Sequence, residues 1–222
     1  MNNAWSILYD LDMRTIVILA FSMMLLIGCR CGNDGATNAE KAGLIPGTEN
    51  PKIKKCQNGA AYIYKEYEIY VEPSPELQGM NIFLYAPEVS DSNPCDLDKR
   101  DASHIIGTGE TEGNNFFAGV YKNYLFIDQG TGPDQRILSV YDLSRKKLIL
   151  LTEYSDPELK EGALTYYKTL VPDPGVIENI PCPDAQKWKE QGLTVLYEQK
   201  EIFTLDTETR LPIREYRCRA GQ

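Results

Sequence analysis

The chain has few of the residues that metal sites and most hydrolases need. Its 222 residues contain one histidine, His104, and no Cys-x-x-Cys pair. Structural and catalytic zinc sites need several Cys or His ligands, so we predict no metal and no cofactor. A Ser-His-Asp or Cys-His site would have to use His104. Its neighbours are Ser103 and two isoleucines, which form no nucleophile turn, and we interpret His104 as structural.

Basic residues are also scarce relative to acidic ones. The chain has 23 Lys and Arg against 32 Asp and Glu, for a net charge of −9. A negative protein repels the phosphates of nucleic acids and anionic headgroups, so we predict no nucleic-acid partner. Two interpretations of the acidity stay open: solubility alone, or a cationic partner.

The first twelve residues contain no basic side chain, although export signals begin with positive charge. Met13 and Arg14 supply that charge directly before an apolar run, Thr15 to Gly28. This run of about fourteen residues reaches about 21 Å as a helix, less than a hydrocarbon core of about 30 Å. We therefore interpret residues 1–28 as an export signal that starts functionally at Met13.

The end of the apolar run reads Leu26-Ile-Gly-Cys29. It resembles the lipobox of bacterial lipoproteins. The resemblance implies that Cys29 carries a diacylglycerol thioether and an acylated amine, palmitate being one such chain, after the peptide before it is cut. Several acyl chains form a stable anchor where one is marginal. The implied location is a bacterial membrane facing the periplasm, and Arg30 favours the cell outer membrane over the inner one.

The segment after the lipobox is rich in Gly, Asn and Pro and has no aromatic residue. Such a composition buries too little apolar area to offset chain entropy. We predict a flexible lipidated tether over residues 29–55 and one β-rich periplasmic domain over residues 56–222. Of the charged residues, one basic and two acidic ones lie in residues 1–28, so the remainder has 22 basic and 30 acidic residues and a net charge of −8.

Cysteine usage predicts disulfides, as is typical of an oxidising compartment. With Cys29 lipidated and Cys31 in the tether, four cysteines remain, which allow three connectivities. Moderate loop lengths favour the pairs Cys56–Cys95 and Cys182–Cys218.

From about Ala60, short segments rich in Tyr, Ile, Phe and Leu alternate with turn residues, which is typical of strands. We predict a mainly β fold: a single antiparallel meander, curved sheet or barrel-like domain with one short helix. The candidate strands are Ala61–Val71, Asn81–Ala86, Phe116–Tyr121, Tyr124–Asp128, Arg136–Asp142, Lys147–Glu153, Ala163–Leu170, Thr194–Leu205 and Leu211–Cys218.

Three local patterns refine this prediction. Residues 124–153 read as a meander similar to one propeller blade, with turns at Asn123 and at 144–146; a further turn at 207–209 joins the last two strands. The run Leu148–Leu151 is apolar on both faces and predicts a central, covered strand. Pro183 to Gln191 predicts the helix, with Gly192 at its exit.

Two acidic motifs are candidates for chemistry. Glu110 and Glu112 lie among glycines, where paired acids could cleave glycosides if one were desolvated. Asp128 to Asp134 places oxygens in a Gly-rich loop, as calcium sites do, but without the EF-hand spacing. We interpret the first motif as a solvated loop and the second as a plain hairpin loop, and we predict no catalytic residue.

Two short C-terminal segments carry further resemblances. The hairpin Glu201–Arg214 resembles that of periplasmic lipoprotein-carrier and sigma-regulator folds, which implies a carrier of a lipid or hydrophobic ligand. The ending Tyr216–Gly221 is similar to the Tyr-x-Cys segment of membrane-bound lysozyme inhibitors, which implies inhibition of a cationic enzyme. Beside these alternatives, we predict a non-enzymatic binding or structural role, with a protein partner in the envelope and the membrane bound through the lipid anchor.

Overall fold

The computed structural model describes residues 44–75, 78–86, 93–106, 114–130, 136–171 and 174–222. These residues form three antiparallel sheets in which sequential strands are neighbours. The N-terminal sheet contains β1 (Lys52–Lys55), β2 (Ala60–Ile63), β3 (Glu68–Pro73), β4 (Met80–Tyr85) and β5 (His104–Ile106). The central sheet contains β6 (Asn114–Tyr121), β7 (Tyr124–Gly130), β8 (Arg136–Asp142) and β9 (Lys147–Glu153). The C-terminal sheet contains β10 (Ser155–Lys160), β11 (Ala163–Thr169), β12 (Thr194–Thr204) and β13 (Thr209–Gly221).

The mainly β, antiparallel prediction is confirmed. The chain builds three consecutive meanders rather than one, and none of the three sheets in the described ranges closes into a barrel. Short helices α1 (Pro174–Ile177) and α2 (Ala185–Glu190) lie between β11 and β12. The predicted helix corresponds to α2, and Gly192 follows it with a φ of 76°, a conformation that suits glycine.

Tight turns join the strands, and several contain a left-handed residue. Lys122 and Lys146 have φ of 52°, and Glu161 and Glu208 have φ of 53°. Such angles suit the two-residue loops that match the twist of antiparallel strands. The turns predicted at Asn123, 144–146 and 207–209 are confirmed.

The central sheet is covered on both faces because its apolar side chains alternate between two cores. On β7, Leu125 and Ile127 face the N-terminal sheet, whereas Tyr124 and Phe126 face the C-terminal sheet. All four are buried. Because a core lies on each of its faces, β7 forms the middle of the three-layer stack. Each fully buried side chain of this size contributes roughly 1.5–3 kcal/mol to folding.

The strand β9 does not have the predicted central position. It is an edge strand of the central sheet, and Leu148 and Leu151 are 41% and 53% exposed. A run that is apolar on both faces predicts burial on both faces. Here a bulge at Ile149 turns that residue toward the same core as Leu150, which leaves the other two leucines facing solvent.

The segment predicted as one strand, Ala61–Val71, is a hairpin. Lys65 and Glu66 interrupt the apolar pattern, and the Tyr64 amide donates to the Tyr67 carbonyl at 2.9 Å, which closes the turn between β2 and β3. Strands β1, β5 and β10 were not predicted from the sequence. They are short or hold charged residues and proline, which are depleted in strands.

Residues 44–55, which we predicted as part of the tether, belong to the folded part of the described chain. Ile45 is 4% exposed and joins the core between the central and C-terminal sheets. Its amide donates to the Ala118 carbonyl at 2.9 Å, and the Leu159 amide donates to the Pro46 carbonyl at 2.8 Å. The segment Leu44–Glu49 (the docking segment) therefore bridges β6 and β10.

Candidate functional site

Several predicted site residues lie outside the described ranges. They are the lipidation residue Cys29, the tether residue Cys31, the acidic pair Glu110 and Glu112, and the loop 131–135 with Asp134. Lipidation at Cys29 therefore stays a prediction.

The preferred cysteine pairing is confirmed by two disulfides. Cys56 and Cys95 are joined across 39 residues, with their Cα atoms 5.4 Å apart. Cys182 and Cys218 are joined across 36 residues, with their Cα atoms 5.7 Å apart. The first bond fixes the loop over the outer face of the N-terminal sheet, and the second ties the α2 segment to β13. Bonds that close loops of this length typically contribute 2–4 kcal/mol to stability.

The structure places the backbone of His104 in an edge strand and pairs Asp128 with an arginine. His104 belongs to β5, where its backbone is in register with Leu84. Asp128 is buried on β7 and forms an ion pair with Arg136, whose Nε donates to Oδ1 at 3.1 Å. A guanidinium in that position competes with a calcium ion. No group of three metal-binding side chains occurs within the described ranges.

A second buried aspartate, Asp142, is also committed to structure. Its Oδ1 accepts hydrogen bonds from the Ser144 hydroxyl at 2.6 Å and the Arg145 amide at 3.1 Å, and Arg145 Nε donates to Oδ2 at 2.5 Å. Burial raises the pKa of Asp142, but the hydrogen bonds outweigh it and lower the pKa to about 2. The carboxylate therefore fixes the β8–β9 turn and stays ionised at neutral pH.

The most elaborate polar cluster lies on the outer face of the C-terminal sheet. Glu198 is 0% exposed, and its carboxylate accepts hydrogen bonds from Arg217 Nε and Arg219 Nε, both at 2.7 Å, and from the Ser155 hydroxyl at 2.9 Å. The Arg217 guanidinium lies 3.7 Å from the centre of the Tyr167 ring. We call Ser155, Tyr167, Glu198, Arg217 and Arg219 the Glu198 cluster.

The charged groups of the Glu198 cluster are hydrogen-bonded to one another. The donors of Arg217 are taken by Glu198, Asp156 and Ser155. Burial lowers the pKa of Arg217, but the hydrogen bonds to Asp156 and Glu198 outweigh it and raise the pKa. The Glu198 carboxylate is hydrogen-bonded by two guanidiniums and a hydroxyl, and these contacts join β10, β12 and β13.

Glu68 is the exception among the buried carboxyl groups. It is 7% exposed on β3, and its Oε2 has no hydrogen-bond partner. Burial raises its pKa. A raised pKa is what a general acid needs, but glycoside hydrolysis needs a second carboxylate within about 10 Å. The other carboxylate on this face of β3, Glu72, lies four residues along and binds Lys99 at 2.6 Å, so it is not free for that role.

We predict that Glu68→Gln raises stability at neutral pH. The folded-state pKa lies above the unfolded value, so folding takes up protons and stability falls as the pH rises through about 4.3 toward the folded-state pKa. Removing the charge should gain about 1 kcal/mol at pH 7, and the gain should vanish below about pH 4. Urea unfolding at both pH values measures this. Glu72→Gln is the matched control, and an equal gain there would contradict the burial explanation.

The cavities differ in what they can hold. One, of about 30 Å³, is lined by Leu84, Ser103, Tyr141, Asp142, Leu143 and Lys146. It has room for about one water molecule and not for an acyl chain. A second is an open cleft of about 410 Å³, which is within the size range of small-ligand sites.

This open cleft lies where the β2–β3 and β6–β7 turns meet the docking segment. We call it the turn cleft, and it is lined by Glu49, Lys65, Glu66, Tyr67, Lys122 and Asn123. The Lys122 amide donates to Glu49 Oε1 at 2.7 Å, which fastens the β6–β7 turn to the docking segment. Lys65 lies 3.2 Å from Glu66 and is largely exposed.

Tyr67 provides the aromatic side chain of the turn cleft. Burial and the nearby Glu66 raise the pKa of Tyr67. Tyr64 lies in the core against which Tyr67 packs, and burial, Tyr62 and Glu49 raise the pKa of Tyr64. The turn cleft thus offers both signs of charge beside aromatic surface, which suits a polar or protein ligand. Sequence reasoning missed the turn cleft because its residues come from three segments that are distant in sequence.

No protein-family model matches the chain, and comparisons with curated proteins and with solved structures give no match. None of the helices in the described ranges has the length and apolar character needed to span a bilayer. Function must therefore be inferred from the residues of this chain.

Proposed function

We propose that this chain is a membrane-anchored bacterial envelope lipoprotein with a non-enzymatic binding or structural role. The observation that carries the proposal is the apolar run that ends in Leu26-Ile-Gly-Cys29. The two disulfides support it, because such bonds persist in oxidising compartments such as the periplasm. The residues between Cys29 and Leu44 could extend at most about 50 Å, enough to separate the domain from the bilayer surface.

The turn cleft is the proposed binding surface. The buried carboxylates of Asp128, Asp142 and Glu198 each bind arginine, which favours a structural over a catalytic use of these groups. The lining of the turn cleft, by contrast, is solvent-accessible and of mixed charge. Aromatic side chains with adaptable polar neighbours are common at protein–protein interfaces. A protein of the envelope is the proposed partner.

Of the two alternatives, the inhibitor of a cationic enzyme has more support than the lipid carrier. The net charge of −8 after residue 28 favours a basic partner. Both cores of the three-sheet stack are filled by side chains that are nearly inaccessible, which does not favour a carrier. Binding of a basic lysozyme should then weaken steeply with salt, and no binding at low ionic strength would exclude inhibition.

The anchor is tested by Cys29→Ser in the full chain, with Cys31→Ser as the matched control two residues away. The unchanged chain and Cys31→Ser should incorporate labelled palmitate, lose the peptide before residue 29 and stay in the membrane fraction after a high-salt wash. Cys29→Ser should incorporate no label and keep the peptide.

Mass spectrometry of the N-terminal peptide distinguishes membrane attachment by an uncut signal from attachment by a lipid anchor. An uncut apolar signal retains residues 15–28, whereas a lipid anchor does not. The proposal fails if Cys29→Ser is labelled like the unchanged chain, or if the unchanged chain is unlabelled and keeps residues 15–28.

A further inference from the structure

Glu49 is a carboxylate that the fold holds in position at the turn cleft. Its Oε1 accepts the hydrogen bond from the Lys122 amide at 2.7 Å. Its own amide donates to the Val120 carbonyl at 2.8 Å, so both the backbone and the side chain of Glu49 are fixed. The second oxygen, Oε2, accepts no hydrogen bond from the described residues. A group that is already ordered binds a ligand at a lower cost in conformational entropy.

Two lysines line the same cleft, and each has another partner. The Lys65 ammonium lies 3.2 Å from Glu66. The Lys122 ammonium lies 5.3 Å from the centre of the Tyr121 ring, which is a cation–π distance. Neither ammonium forms an ion pair with Glu49. Within the described part of the chain, the turn cleft therefore contains one fixed carboxylate that no cation contacts.

Asn123 supplies a second fixed acceptor in the lining. Its Nδ2 donates to Asp142 Oδ1 at 3.2 Å and to the Ser144 hydroxyl at 3.1 Å. These bonds orient the amide, and they leave its Oδ1 without a donor among the described residues. Tyr67 adds a half-buried aromatic ring to the same cleft. A carboxylate, an amide oxygen and an aromatic ring are groups that bind an ammonium ion.

We propose that the turn cleft binds the ammonium of a lysine side chain of the envelope partner, with Glu49 as its counter-ion. The inference rests on the proposed role of the turn cleft and names the group that this cleft recognises. Lysine fits better than arginine because a backbone amide already occupies one oxygen of Glu49. A guanidinium binds a carboxylate best through both oxygens at once, whereas an ammonium binds as a point charge.

Titration of the detergent-solubilised full chain with small probes tests the recognition. The probes are the Nα-acetyl methylamides of lysine, arginine, norleucine and glutamate. The backbone amide signals of Lys122 and Asn123 in the ¹⁵N-labelled protein report binding. The lysine probe should shift them saturably, and the arginine probe should bind about threefold more weakly. The norleucine probe has the same four-carbon stem without the ammonium and should cause no shift.

Conservative variants test the role of Glu49. Glu49→Gln removes the charge but keeps a side-chain oxygen that can accept from the Lys122 amide, so the docking segment should stay in place. This variant should bind the lysine probe about fivefold more weakly. Glu66→Gln is the matched change at the carboxylate that Lys65 already neutralises, and it should weaken binding less than about twofold. Lys122→Met should tighten binding about twofold, because it removes a like charge from the cleft.

The outcomes separate the ammonium from the binding surface. Equal losses in Glu49→Gln and Glu66→Gln, or equal binding of the norleucine and lysine probes, would overturn the role of Glu49. Tighter binding of the glutamate probe, weakened by Lys122→Met, would overturn the choice of an ammonium and keep the turn cleft as a binding surface. No shift with any probe would overturn recognition at this cleft. The lipid anchor would stand in each case, because labelling at Cys29 tests it independently.

Discussion

Gly47→Ala is expected to lower the free energy of unfolding by about 3–5 kcal/mol. A Cβ atom at position 47 would lie 1.7 Å from the Leu159 carbonyl oxygen, and the backbone there has a φ of 91°. Left-handed backbone costs an L residue roughly 1–2 kcal/mol. The overlap with a backbone atom cannot be relieved by a side-chain rotation, so the docking segment must move. Ile45 would then lose its place in the core, which costs a further 1.5–3 kcal/mol or so.

Gly192→Ala is the matched control for this prediction. Gly192 also has a positive φ, 76°, but a Cβ there would meet no atom within 4 Å. The only cost expected for Gly192→Ala is that of left-handed backbone in an L residue, about 1–2 kcal/mol. Urea unfolding of both variants, followed by tyrosine fluorescence and circular dichroism, measures the difference. Equal losses would mean that the docking segment contributes little to stability.

The position of the docking segment also affects the turn cleft. Glu49 reaches that cleft from the same segment and binds the Lys122 amide. Displacement of the segment by Gly47→Ala should therefore change the shape of the turn cleft as well as stability. Binding of an envelope partner at the cleft would weaken in this variant, whereas Gly192→Ala would leave it unchanged.

Much of the strand pattern could be predicted from local sequence. The bounds of β8 and β9 agree with Arg136–Asp142 and Lys147–Glu153, because apolar runs there are bounded by clear turn residues. β10 could not be found in this way. It contains Asp156 and Pro157 and a bulge, and it forms because Leu159 packs in the core beside β11. Proline is tolerated there because β10 is an edge strand.

The relation between the sheets could not be predicted, because hydrophobic periodicity records burial and not the element that covers it. The alternation in Tyr124–Ile127 gives two apolar faces, yet only the fold shows that a separate sheet covers each face. The same limit explains the error on Leu148–Leu151. Four apolar residues predict a covered strand, and a bulge that depends on tertiary packing exposes two of them.

Some polar sites could also be predicted from the sequence, and others could not. Moderate loop lengths favoured the two disulfide pairs that the structure has, but four cysteines allow three connectivities and the spacing alone did not exclude the other two. The Glu198 cluster gave no signal, since Ser155, Glu198 and Arg217 are distant in sequence and meet only through the β10–β11–β12–β13 order. The acidic motifs that did stand out owe their prominence to neighbouring glycines, and composition of that kind does not report burial.

Glu198→Ala is expected to destabilise the domain by about 3–5 kcal/mol. Removing one partner of a buried ion pair leaves the other charges less well compensated, and here two guanidiniums lose the carboxylate that they share. Arg217 and Arg219 would need to turn to solvent, and Arg217 would leave the Tyr167 ring. Chemical unfolding at pH 7 measures the loss.

The control for Glu198→Ala lies on the same face of the sheet. Glu215 binds Lys200 at 3.1 Å, but this pair is exposed, and exposed pairs contribute little. Glu215→Ala should therefore change stability far less than Glu198→Ala.

A double-mutant cycle with Arg219→Ala gives the final test. If Glu198 acts by compensating buried charge, the double variant should be less unstable than the sum of the single variants, because the second change removes a charge that the first left unpaired. Strict additivity would show that the loss comes from packing alone.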